Sequence, residues 1–103
     1  IHVSDIAKIH VLTLNKIIKL KKSIILNCGY GKGISVLEAI QEFQNQIKKK
    51  IKINFKKRRM GDMEKIISIN SKLQKFIKFS SPKNSLRKIV KSCIKWEKKI
   101  KRY

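Results

Sequence analysis

Ser23-Ile24-Ile25-Leu26-Asn27-Cys28-Gly29-Tyr30-Gly31-Lys32-Gly33-Ile34-Ser35-Val36-Leu37-Glu38 is the stretch on which the fold turns. Its first six residues read as a short buried strand, because a brief apolar run ends at a glycine cluster. Gly29, Gly31 and Gly33 break that strand in a tight turn. Ser35 then opens a helix. A serine followed three positions later by Glu38 makes a capping box, in which each side chain takes up one free backbone N–H of the first turn. Val36, Leu37, Ile40, Phe43 and Ile47 recur behind it at helical spacing. A strand, a glycine turn and a capped helix make an α/β unit, so the stretch predicts an α/β fold.

Upstream, Ser4 and Asp5 open a helical pattern to about Lys19, with Ser4 as the expected N-cap and Ile6, Ile9, Leu12, Thr13 and Ile17 on its apolar face. Downstream, Lys50 to Lys57 alternates Ile51, Ile53 and Phe55 with Lys52, Asn54 and Lys56, which is strand periodicity. The run Lys48–Lys50 before it reads as a solvated helix end. Arg58-Arg59-Met60-Gly61-Asp62 interrupts the alternation, and Ile66–Ile69 predicts a further short strand. Asn70 and Ser71 start a short helix through Lys78. Pro82 and Asn84-Ser85 mark a turn and a last helix, whose Leu86, Ile89, Val90, Cys93, Trp96 and Ile100 share one face.

The formal net charge is +21, which by itself favours a polyanionic partner. The composition gives a plainer account. Of 27 basic residues only Arg58, Arg59, Arg87 and Arg102 are arginine, and Lys, Ile and Asn, all with AT-rich codons, are abundant. Drift in base composition raises all three together, whereas readers of nucleic acid lean on the arginine fork. A small basic nucleic-acid-binding module therefore stands as the alternative, and no nucleic-acid partner is expected. The longest purely apolar run, Ile24–Leu26, is too short to span a bilayer, and a cytoplasmic protein is expected. Cys28 and Cys93 lie far apart in apolar surroundings and read as buried, reduced thiols. His2 and His10 have no acid or thiol at ligand spacing, so no metal site is expected.

Two motifs could carry chemistry. Gly29-x-Gly31-x-Gly33 lies between a strand and a helix, but the spacing is not that of a dinucleotide-binding turn. Arg58-Arg59-Met60-Gly61-Asp62 packs two cations, a glycine and an acid into one short run. Arginine can hold a pyrophosphate through paired N–H groups and a carboxylate can accept from ribose hydroxyls. A surface turn closed by its own ion pair fits those residues as well.

Five segments in order resemble the UDP-glucose 4-epimerases, extended members of the short-chain dehydrogenase/reductase superfamily. Ile1-His2-Val3-Ser4-Asp5-Ile6-Ala7 resembles their "IHVxDLA". Asn27 to Glu38 is similar to "NLGTGxGYSVLE", with Cys28 and Tyr30 in place of Leu and Thr. Arg58 to Asp62 resembles "RRxGD", and Ser71-Lys72 falls on "SK". Asn84 to Glu97 is similar to the closing helix with its late tryptophan.

The resemblance implies the C-terminal part of an extended Rossmann-type enzyme. Residues 1–30 would be the last helix and strand of the NAD-binding domain, and 31–103 the small α+β domain that binds the UDP-sugar. NAD and a catalytic Tyr-x-x-x-Lys pair would belong to an N-terminal domain outside these residues, as would the homodimer contact. Neither Tyr30 nor Tyr103 begins such a pair, so no catalytic residue is expected here and the chain alone is expected to be inactive. Ile1 in first position fits an N-terminus that was removed or a longer chain. By the resemblance, Arg59 would meet the UDP pyrophosphate, Asp62 the uridine ribose, and Ile66 the sugar ring. The Ile24–Cys28 strand would lack ladder neighbours within this chain.

Overall fold

The structure, a computed structural model, describes residues 1–81 and 83–100. Pro82, the expected turn marker, lies outside the described residues. Among the described residues there are four helices: α1 (Val3–Leu20), α2 (Val36–Ile47), α3 (Ser71–Ile77) and α4 (Leu86–Ile100).

No β-strand forms among the described residues, which corrects the expected α/β architecture, Rossmann-type strand included. The segments 23–28, 50–57 and 66–69 are all irregular. A strand is held by hydrogen bonds to a neighbouring strand, and none of the three finds such a neighbour among the described residues. In 24–28 the period-2 pattern survives as burial alone. Ile24, Leu26 and Cys28 are half-buried while Ile25 between them is 85% exposed. Hydrophobic alternation selects a face to cover, but the ladder decides whether a strand exists.

The chain divides into two compact units. The first comprises Ile1–Lys32 and Ile67–Ser85. Its core is Ile9, Leu73 and Phe79, with Leu26, Cys28 and Ile77 packed against them. The covered stripe of α1 runs Asp5, Ile9, Thr13 and Ile17, every fourth residue. Helix α1 meets α3, where the Lys16 ammonium lies 4.8 Å from the centre of the Phe76 ring and donates to the Phe76 carbonyl. Helix α1 also starts earlier than Ser4 suggests. His2 is its N-cap, and the imidazole Nδ1 accepts from the Ser4 N–H at 3.1 Å. Gly29 is fixed by packing: a Cβ there would stand 2.8 Å from the Ser68 Cβ, and the Gly29 carbonyl accepts from Asn70 Nδ2 at 2.9 Å.

The second unit is built from Gly33–Ile66 and α4. Helix α2 packs on α4, and Val90 is 1% exposed. The capping box forms as expected: Ser35 Oγ accepts from the Glu38 N–H at 3.2 Å, and Glu38 Oε2 from the Ser35 N–H at 2.7 Å. Gln46 Nε2 donates to the Arg87 carbonyl at 2.8 Å, and Gln44 Oε1 accepts from the Ile51 N–H at 2.7 Å. These amides fix α4 and the chain leaving α2. The apolar stripe of α4 is covered only around Val90. Trp96 is 59% exposed and Cys93 is exposed, so the expectation of a buried Cys93 fails, while Cys28 is half-buried. The stripe outruns the short α2 available to cover it.

Helices α1, α2 and α3 end on lysines in the left-handed conformation: Lys21, Lys48 and Lys78, with φ of 51°, 56° and 46°. Glycine is the favoured residue there, because a Cβ is crowded at positive φ. Lysine at all three positions fits a composition set by codon drift better than one tuned for stability.

Candidate functional site

The Arg58–Asp62 run folds as a tight turn within the second unit. The Asp62 N–H donates to the Arg59 carbonyl at 3.2 Å, closing a four-residue turn with Met60 and Gly61 at its centre. Gly61 has φ +85°, which the third position of a type II turn requires. No atom lies within 4 Å of where its Cβ would be, so backbone conformation, not space, is the reason for glycine. The turn brings the two side chains together. Asp62 Oδ2 accepts from the Arg59 N–H at 3.2 Å and from Arg59 Nε at 3.3 Å.

This pair is open to solvent, with side chains 86% and 41% exposed. Surface pairs of this kind add little to stability. The fork nitrogens of Arg59 and the second carboxylate oxygen of Asp62 keep their hydrogen-bonding capacity. One turn thus presents a planar cation and an acceptor anion side by side, the complement of a ligand with a phosphate next to a vicinal diol. Met60 at the apex is fully exposed. Ile66 lies four residues beyond the turn and is 77% exposed. The structure therefore brings Arg59 and Asp62 into contact and leaves Ile66 outside their turn.

A second polar cluster, in the first unit, escapes a reading of the sequence. The Asp5 carboxylate is buried and accepts from both Tyr30 and Ser81 hydroxyls. The Tyr30 oxygen accepts from the His2 N–H at 3.0 Å, and Ser81 Oγ from the Lys83 N–H at 2.9 Å. Burial works to raise the Asp5 pKa, but the hydrogen bonds from Ser81 and Tyr30 and nearby positive charge, Lys83 included, bring it below the ordinary 3.8. Burial, then the bond to Asp5, pushes Tyr30 above the ordinary 10.0. The phenol is a held donor and not a base. The partners stand 25 and 76 positions from Asp5, so no local spacing announces them. This cluster joins the start of α1 to the glycine turn and to the segment before α4.

The glycine turn itself does not fit a dinucleotide phosphate. The space a missing Cβ leaves at Gly29 is taken by Ser68, and Asn70 holds the Gly29 carbonyl. None of the described helices is long and apolar enough to cross a membrane.

No family model matches the chain. Individual proteins do. It is 31% identical over 100 residues to a UDP-glucose 4-epimerase of Azospirillum brasilense, a match covering 97% of this chain and 29% of that protein. It is 33% identical over 98 residues to UDP-arabinose 4-epimerase 1 of Arabidopsis thaliana, covering 95% and 23%. Over a shorter stretch of 78 residues it is 40% identical to UDP-glucose 4-epimerase 2 of Oryza sativa subsp. japonica, covering 73% and 19%. The chain spans less than a third of the length of these relatives.

Proposed function

We propose, because the chain is related in sequence to the UDP-glucose 4-epimerases over nearly all its residues, that it is the UDP-sugar-binding portion of an epimerase acting on UDP-glucose and UDP-galactose. The observation that carries this reading is the turn of Arg59 and Asp62, which sets a guanidinium and a carboxylate in contact on an exposed surface. In our reading the Arg59 fork holds the diphosphate, Asp62 accepts from the ribose hydroxyls, and Ile66 lies toward the sugar. Residues 1–30 would belong with the NAD-binding part of such an enzyme and 31–103 with its substrate-binding part. NAD, which supplies the hydride acceptor and donor for epimerisation, would be held outside this chain, since the Gly29 turn is closed by Ser68 and Asn70. The residues here bind and orient substrate and are inactive alone. The homodimer contact would likewise lie elsewhere in the enzyme.

Ligand-observed NMR on the whole chain tests this reading, because it detects weak binding. UDP and UDP-glucose should bind more tightly than uridine. Arg59→Ala should weaken UDP by about ten- to a hundredfold, as loss of a charge-assisted bond does. Equal affinity for UDP and uridine, or an Arg59→Ala chain that binds UDP as the parent does, would count against it.

A further inference from the structure

Residues 48–57 are a strongly basic stretch of the molecule. Lys48, Lys49, Lys50, Lys52, Lys56 and Lys57 fill six of ten positions, against 27 basic residues in all 103. No Asp or Glu occurs between Glu42 and Asp62. Codon drift raises lysine along the whole chain and does not explain this local excess. Every residue from 48 to 59 is exposed, and the segment forms no strand. Among the described residues, no side chain from Lys48 to Lys57 has a hydrogen-bond, ion-pair or ring partner. At its middle Phe55 is 80% exposed, while Ile51 and Ile53 on the same alternation are 37% and 39% exposed.

We propose that this segment is a binding surface for single-stranded nucleic acid, with lysines along the phosphates and one base stacked on Phe55. A lone protruding aromatic ring within a row of unpaired cations is the combination that sequence-tolerant single-strand binders use. A duplex would offer the same phosphates but keep its bases stacked away from the ring. A lipid surface would call for a broad apolar face in a regular element, whereas Phe55 protrudes alone between Asn54 and Lys56. The inference is independent of the UDP-sugar reading, since it rests on Phe55 and Lys48–Lys57 and not on the Arg59–Asp62 turn.

Fluorescence anisotropy with labelled oligouridine and oligothymidine of about 20 nucleotides tests it on the whole chain. Binding should persist at about 150 mM salt, with a log–log salt slope of about −3 to −4 for four to six phosphate contacts. Phe55→Ala should weaken binding about tenfold, and Trp96→Ala, an exposed ring on α4, should leave it unchanged. Phe55 packs on little, so the variant keeps the helical circular dichroism of the parent. Binding of either strand with that response supports the proposal. Equal binding to a duplex or to anionic vesicles, or a Phe55→Ala chain that binds as the parent does, overturns it.

Discussion

The two polar clusters of this chain have opposite designs. Asp5, Tyr30 and Ser81 are drawn from three distant stretches, and their carboxylate is buried with its hydrogen bonds filled from inside. Arg59 and Asp62 come from one turn, stand in solvent, and keep most of their hydrogen-bonding capacity. The first arrangement spends its polarity on holding the chain together. The second spends almost none of it that way, which leaves it free to meet a ligand. Stability and binding should therefore respond to different residues, and substitutions can test the division.

The largest effect should come from the core of the first unit, which also holds the buried cluster. Leu73 has no exposed surface, so Leu73→Ala should cost about 2–5 kcal/mol in chemical denaturation. UDP affinity, measured where the variant is folded, should stay unchanged if the division holds.

Tyr30→Phe should follow, at about 1–3 kcal/mol, because it removes one of the two hydroxyl donors to the buried Asp5 carboxylate and the oxygen that accepts from the His2 N–H. The pH response sharpens this. Asp5 has a folded pKa below its ordinary value, so its contribution is present above about 3.8 and is lost as pH falls through the lowered value. Tyr30 has a raised pKa, so its contribution is complete below 10.0 and is lost as pH rises through the raised value. Urea midpoints followed against pH should show both edges in the parent. Asp5→Asn should remove the acid edge.

A smaller effect, of opposite sign, is expected at a helix end. Lys48→Gly relieves a crowded left-handed residue after α2 and should stabilise the chain by about 0.5–1 kcal/mol. The smallest belongs to the exposed turn. Asp62→Asn should change stability by less than about 0.5 kcal/mol in the same denaturation assay, although it removes the carboxylate assigned to ribose. A large loss of stability there would make the turn structural and erase the contrast between the clusters.

The helices were legible in the sequence because their signals are local. Ser35 and Glu38 form the capping box their spacing announces, and Leu86, Ile89 and Val90 face inward as the periodicity requires. The strands were not, since alternation at 24–28 specifies a face and that at 50–57 leaves every residue exposed, and neither can supply the neighbour a ladder needs. The cap of α1 was misplaced because an imidazole can do what a serine hydroxyl does, and His2 lies two residues earlier. In the candidate site, the contact between Arg59 and Asp62 is readable from a glycine between residues three apart. The Asp5 cluster is not, because only folding brings its members together.

Backbone amide chemical-shift mapping with UDP on the whole chain shows whether the Arg59–Asp62 turn recognises a nucleotide. Shifts should concentrate at Arg59, Gly61 and Asp62, be absent around Asp5 and Tyr30, and be abolished by Arg59→Ala. Shifts spread along the lysine-rich surface, or unchanged by that substitution, would mean that charge alone attracts the nucleotide and that the turn recognises nothing.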